Sequence, residues 1–145
     1  MIFKDGLIIE TLKRRHMEHV IILLQNISDY APPAENYDEI WDDFQSQNNV
    51  HSIVAIDDGI VVGYGSLVIE TKIRGGRMGH LEDIVSHPIK RNEGIGKIIV
   101  NSLYDIARAN NCYKIALQCQ KSNEKFYVNC GYAVSGIAMQ RFSKN

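Results

Sequence analysis

The sequence is short of the features that would assign it quickly. Its 145 residues hold three prolines and one tryptophan, and no apolar run approaches the length that crosses a bilayer. A net charge of −1 offers no basic face, which argues against nucleic acid as the main partner. The cluster Lys13-Arg14-Arg15-His16 is too short to change this and reads as a solvated strand end or helix start. Cys112, Cys119 and Cys130 are odd in number and form no C-x-x-C pair. They read as thiols of a reducing compartment, with neither a disulfide framework nor a zinc site, and no metal is expected. Behind Met1-Ile2-Phe3-Lys4-Asp5 there is no apolar stretch that would serve as a signal peptide. The expectation is a soluble, cytoplasmic, single-domain protein (1–145) with a sizeable core and no membrane partner.

What is present centres on Gly79-His80-Leu81-Glu82-Asp83-Ile84-Val85 and the following Arg91-Asn92-Glu93-Gly94-Ile95-Gly96-Lys97. A strand ends in adjacent acids, a short loop follows, and glycines open a helix. Backbone N–H groups at such a helix start, aligned with the helix dipole, make a pocket for phosphate oxygens. A Walker loop would need Gly at Arg91 and Ser or Thr at Ile98, and a dinucleotide fingerprint would need Gly at Ile99. Both fail. An Arg-x-x-Gly-x-Gly spacing remains, and its bland alternative is a glycine-softened turn with no ligand.

The remaining pattern supplies a scaffold. Leu7–Leu12 reads as a strand, Met17–Gln25 as a buried helix, and Ala31-Pro32-Pro33 as a breaker. A helix over Tyr37–Phe44 would turn Ile40, Trp41 and Phe44 inward. His51–Ile56 and Ile60–Ile69 flank Asp57-Asp58-Gly59, a hairpin signal, and Arg74-Gly75-Gly76 turns the chain into Met78–Val85. Ile95, Ile98, Ile99, Leu103, Ile106 and Ala107 recur at helical spacing. Tyr113–Cys119 supplies a strand, Phe126 and Tyr127 a short helix, and Tyr132–Phe142 a last strand. The order β-α-α-β-β-β-α-β-α-β implies an α/β fold, a mixed central sheet with helices on both faces.

The glycine loop and this order of elements resemble the GNAT acetyltransferases. More specifically, Gly-His-Leu-Glu-Asp-Ile at 79–84, Asn111-Cys112-Tyr113-Lys114-Ile115, and Asn123-x-x-Phe126-Tyr127-x-x-x-Gly131-Tyr132 resemble the glucosamine 6-phosphate N-acetyltransferase family. The resemblance is strongest from Gly63 to Tyr132. It implies the GNAT fold and acetyl transfer from acetyl-CoA to the 2-amino group of glucosamine 6-phosphate, on the route to UDP-N-acetylglucosamine. Carried over by position, Ile84, Val85 and Ser86 would meet the pantetheine arm. Asn92, Glu93, Gly94, Ile95, Gly96 and Lys97 would hold the pyrophosphate, and Asn123, Tyr127, Val128 and Asn129 would flank the thiol end. Gln25, Lys72, Glu82, Asp83, Tyr113, Lys114 and Gln118 match acceptor positions. The resemblance also implies a homodimer whose partner completes the acceptor pocket. Two departures concern the sugar half. Gln118 stands where the family has a carboxylate, and an amide cannot hold negative charge against a developing ammonium. Arg141 is the candidate for a family arginine near the end of the last strand, and a one-residue offset there would turn it to the other face.

Acyl transfer needs an uncharged amine, a polarised carbonyl and a protonated leaving thiol. A sugar amine is weakly basic, so a mild base or water suffices. In a regular strand Glu82 and Asp83 would alternate faces, whereas a bulge could bring both to one pocket. The backbone N–H near Val85 is the expected oxyanion donor, Tyr127 the expected donor to the departing thiolate, and Gln118 a hydrogen-bonding group for amine or sugar. Each residue has a plainer alternative: Tyr127 as a packed aromatic, Glu82-Asp83 as a solvated strand end, and Lys72, Arg74 and Arg77 as hairpin surface charge. His80 and His87 fit packing or surface roles. Two other functions stay open: a GNAT enzyme for another small amine or protein amine, favoured if Gln118 marks a changed acceptor, and an acyl-CoA-binding domain without turnover.

Overall fold

The computed structural model describes residues 6–89 and 94–144. The chain runs β1 (Ile8–Thr11), α1 (Met17–Leu24), α2 (Tyr37–Gln45), β2 (Val50–Asp57), β3 (Ile60–Thr71), β4 (Arg77–Ser86), α3 (Ile95–Ala109), β5 (Cys112–Ala116) and α4 (Glu124–Asn129). The sheet order is β1-β2-β3-β4-β5. Its first three pairings are antiparallel and the β4–β5 pair is parallel, so the sheet is mixed as expected. The hairpin between β2 and β3 turns at Asp58 (φ 50°) and Gly59 (φ 77°). Two left-handed residues match the twist of the flanking strands, which is why Asp-Gly serves there.

Helices cover both faces. On one, α3 buries Ile95, Ile99, Val100, Leu103 and Ala107 against Ile53, Ala55, Val62, Leu67 and Leu81. Gly65 lets the helix sit that deep, since a Cβ there would lie 2.8 Å from both Ile84 Cδ1 and Ile99 Cγ2. On the other face, Val20 and Leu23 of α1 pack on Val54, Val61, Tyr64 and Val85. Periodicity placed these cores because every i, i+3 or i+4 step on the helices meets an alternating position on a strand.

Three expectations are corrected. The expected inner face of α2 is only partly covered: Trp41 and Phe44 are half-buried, no residue of the helix is fully buried, and Ile40 is 36% exposed. Trp41 and Phe44 stack on each other at 6.3 Å, and Arg14 anchors the helix through Asp38 at 2.9 Å. Second, β5 stops at Ala116 and does not reach Cys119, because its pairing with β4 ends at His80↔Ala116. Third, Tyr132–Phe142 forms no strand. Its alternation finds no partner strand among the described residues, and Val134, Ile137, Met139 and Phe142 are exposed.

Candidate active site

The site begins where the parallel neighbours separate. Strand β4 continues to Ser86 after its pairing with β5 has ended at His80↔Ala116, so from Leu81 onward its outer edge faces a gap. The backbone along that gap is irregular in one place. Ser66 pairs with Glu82 and Tyr64 with Val85, so Asp83 and Ile84 together oppose Gly65. This is a β-bulge, and Asp83 sits in it at φ 54°, a conformation that Asp tolerates better than most residues. The bulge breaks the alternation that would separate Glu82 from Asp83, and both are exposed.

Beyond the bulge the strand is regular again. The His87 N–H donates to Val62 O at 2.7 Å. Backbone groups alternate sides along a strand, so the Val85 N–H turns toward β3, while those of Ile84 and Ser86 turn toward the gap. The Val85 side chain packs under α1 and that of Ile84 lies on the α3 side.

Helix α3 opens beside this edge. Gly94 is its N-cap in the left-handed conformation, φ 78°, which a side chain would strain. Ile98 N–H makes the first bond of the helix, to Gly94 O at 3.1 Å. The N–H groups of Ile95, Gly96 and Lys97 thus have no acceptor within the helix. Gly96 has a packing reason as well, since a Cβ there would lie 3.2 Å from Phe126 Cζ. Asn92 and Glu93 lie outside the described residues.

Lys114, Gln118, Cys119, Tyr127, Val128 and Tyr132 line one cleft of about 590 Å³. Tyr127 meets Phe126 edge-on at 4.9 Å and Tyr132 at 6.2 Å. Burial, with Cys119 and Cys130 nearby, pushes its hydroxyl up to about 12, so it stays protonated and able to donate. The Tyr132 hydroxyl is buried without a hydrogen-bond partner among the described residues. Asn123 caps α4 and Asn129 ends it, which puts both on the helix that carries Tyr127.

The other acceptor candidates are not all brought together. Lys72 and Tyr113 share a separate hollow of about 540 Å³ with Arg74. Lys114 bridges the two regions, its Nζ 5.9 Å from the centre of the Tyr113 ring. Lys72 is already paired with Glu70 at 3.0 Å, and His80 holds the same carboxylate oxygen at 2.9 Å. The His80 bond first, then that of Lys72, keeps Glu70 below the usual carboxylate range. His87 Nδ1 accepts from Ile89 N–H at 3.2 Å. Gln25 donates its amide to Ile21 O and Tyr30 O at the end of α1. Arg141 lies in the exposed C-terminal segment, where no strand register orients it.

Two groups near the gap escaped the sequence reading. Cys119, one of the three thiols given no role in the site, lines the cleft. Tyr64 and Ser66, polar residues two apart in an otherwise apolar strand, lie beside the bulge. Their spacing on one strand face was the available signal.

The chain matches the Acetyltransferase (GNAT) family over residues 17–132. It is 32% identical over 139 residues to the glucosamine 6-phosphate N-acetyltransferase of Candida albicans, covering 93% of this chain and 86% of that one. With the enzyme of the same name from Schizosaccharomyces pombe it shares 34% identity over 105 residues, 71% of this chain and 95% of the relative. The crystal structure of glucosamine-6-phosphate N-acetyltransferase from Arabidopsis thaliana superposes with a TM-score of 0.89 at 26% identity, covering 97% of this chain and all of that one. With its gap, bulge and glycine-capped helix, this chain belongs to the GNAT family of acetyltransferases, alongside the glucosamine 6-phosphate N-acetyltransferases.

Proposed function

We propose that this protein transfers the acetyl group of acetyl-CoA to the 2-amino group of glucosamine 6-phosphate, in a single domain and on the route to UDP-N-acetylglucosamine. The observation that carries the reading is the gap between β4 and β5, with acids at its bulge and the start of α3 beside it. A pantetheine arm can add to the open β4 edge as a strand would, through the N–H groups of Ile84 and Ser86. Gly94 to Lys97, with Asn92 and Glu93, hold the pyrophosphate at the α3 N-terminus. Acetyl-CoA supplies the thioester. The Ile84 N–H is placed to polarise its carbonyl, and Tyr127 to donate to the departing sulfur, with Asn123, Val128 and Asn129 around the thiol end. Glu82 and Asp83 accept hydrogen bonds from the amine and a sugar hydroxyl, which keeps the nitrogen lone pair aimed at the carbonyl. Gln118 orients the acceptor, and Gln25 and Tyr113 border it.

The phosphate of the acceptor meets Lys72, Lys114 and Arg141. We further propose a cytoplasmic homodimer. The three thiols are free, as suits a reducing compartment, and the exposed Ile137, Met139 and Phe142 are apolar surface that a second copy would cover.

The test is release of the CoA thiol from acetyl-CoA with glucosamine 6-phosphate, with glucosamine, and with no acceptor. Charge-assisted hydrogen bonds to the phosphate are worth about 1.5–3 kcal/mol each, so the phosphorylated sugar should be preferred at least ~10-fold in kcat/KM. Equal efficiency with glucosamine would move the reading to another amine, and binding without turnover on any amine would reduce it to an acyl-CoA-binding domain.

A further inference from the structure

Helix α4 is too short to hold itself in place. It has six residues and none is fully buried, and a helix of that length is marginal on its own backbone bonds. Yet it presents Tyr127 in the wall of the cleft. The turn after the helix pins the Tyr127 backbone, whose carbonyl accepts the N–H groups of Cys130 and Tyr132, both at 3.0 Å. The side-chain part of the anchoring comes from Phe126, which packs against the core that α3 builds on the sheet.

Phe126 has two neighbours of consequence. Its ring meets that of Tyr127 edge-on, with centroids 4.9 Å apart and planes at 81°, the geometry that ring quadrupoles favour. Toward α3 the same ring reaches the first turn of the helix. A Cβ on Gly96 would lie 3.2 Å from Phe126 Cζ and 3.5 Å from its Cε1, and beyond its own helix no other described residue would lie within 4 Å. Carbon atoms rest about 3.5–4.0 Å apart, so the ring stands flush against the backbone where a side chain would begin.

That contact explains the residue type. Gly96 is not among the glycines with positive φ, and a helix favours alanine over glycine. The backbone at 96 therefore needs no glycine. The Phe126 ring does.

We propose that Phe126 is a positioning residue: seated on Gly96 and braced edge-on against Tyr127, it sets where the Tyr127 hydroxyl stands relative to the first turn of α3. Acetyl-CoA extended along the β4 edge has a fixed reach from pyrophosphate to sulfur, so the groups that grip its two ends must keep a fixed separation. This rests on the acetyltransfer reading for what those groups grip, but not for the run of contacts from Gly96 through Phe126 to Tyr127. Phe126 acts through Tyr127.

The test is a double-mutant cycle on Gly96→Ala and Phe126→Leu. The first keeps the backbone N–H and pushes the ring, and the second keeps an apolar side chain and removes the ring. Each should slow single-turnover acetyl transfer about 2- to 10-fold, the range of one edge-on aromatic contact, with CoA affinity by calorimetry within about twofold of the parent. In Phe126→Leu the added methyl finds room, so the double variant should be no slower than Phe126→Leu alone. Should Phe126→Leu fail to fold, Phe126→Met takes its place in the cycle. In protein labelled with ¹³C at the tyrosine ζ-carbon, the Tyr127 signal, identified by its loss in Tyr127→Phe, should move in Gly96→Ala with no substrate present. Losses that multiply in the double variant, weakened CoA binding with an unchanged transfer rate in Gly96→Ala, or an unmoved Tyr127 signal would each overturn the proposal. A wild-type protein inactive on glucosamine 6-phosphate would instead defeat the functional reading, while the Tyr127 signal still reports on the contact through Phe126.

Discussion

The two sides of the sheet are built to different depths. On the α3 side, five helix residues are buried against three central strands, and glycines let the helix press onto them. That side carries the proposed acetyl-CoA half. The proposed acceptor half draws on the end of α1, the β3–β4 hairpin, the bulge of β4, β5 and the C-terminal segment. Of that segment, Ile137 and Met139 are 91% and 90% exposed, and no residue of α2 on the same chain is fully buried. The proposed cofactor half rests on close packing, whereas the proposed acceptor half leaves apolar surface exposed.

The sharpest way to break this comparison is a matched pair of substitutions. Gly65→Val drives a side chain into Ile84, Ile99 and Leu103 and should cost roughly 3 kcal/mol, since a closely packed core gives little. Met139→Ser lies on the open side and should change the stability of the single chain by no more than about 0.5 kcal/mol. Urea unfolding at low protein concentration reads the first effect. Sedimentation reads the second variant, which should associate more weakly than the parent. A destabilised Met139→Ser monomer, or a Gly65→Val protein as stable as the parent, would erase the difference between the two sides.

What the sequence made legible follows the same division. Ile95, Ile99, Leu103 and Ala107 announced α3 because helical spacing and burial agree there. Asp58-Gly59 announced its turn because few residues accept the left-handed backbone. Tyr132–Phe142 misled, since alternation encodes a capacity for pairing and says nothing of which edge will answer it. The end of β5 was overrun for a related reason. Leu117, Gln118 and Cys119 remain suitable for a strand, but the pairing with β4 has already ended at His80↔Ala116. That bulge was foreseen only as a possibility, and its position became visible through the pairing of Ser66 with Glu82 and Tyr64 with Val85. Ion pairing was likewise beyond the sequence. Lys72 was legible as a hairpin charge, whereas its pairing with Glu70 at 3.0 Å was not.

A smaller effect sharpens the division within the cleft. Tyr127→Phe removes one hydroxyl and keeps the edge-on contacts with Phe126 and Tyr132. Acetyl-CoA affinity should be nearly unchanged, while turnover falls about tenfold, because a bond to a departing thiolate exists only as the transition state forms. Since the phenol is pushed up to about 12, this contribution should not fade through the neutral and mildly alkaline range. Calorimetry and the pH profile of kcat check both points. An unchanged turnover with chemistry rate-limiting would leave Tyr127 as a packing residue.

The smallest expected effect concerns α1, which packs on the sheet face opposite α3. His16 ends the turn that leads into this helix and is 5% exposed. Its Nδ1 accepts the Lys13 N–H at 3.0 Å, and its Nε2 lies 3.0 Å from Glu10 Oε1, so the ring is neutral with its proton on Nε2. A second proton would occupy Nδ1 and break the bond from Lys13. Burial first, then the Arg15 charge, lowers the pKa below 6.5, with Lys13 adding to the shift and Glu10 opposing it. Below pH 6.5 the unfolded chain therefore binds more protons than the folded one, so stability is intact above that pH and declines as the medium becomes more acidic. The loss should set in as the pH falls through about 6.5, the ordinary value for a histidine, and grow toward pH 5. In His16→Gln an amide oxygen can accept from Lys13 and the amide N–H can donate to Glu10, with nothing left to titrate. Urea midpoints across that range should fall more steeply for the parent than for His16→Gln, whatever the variant's absolute stability. Parallel curves would show that the entrance to α1 is indifferent to the charge on His16.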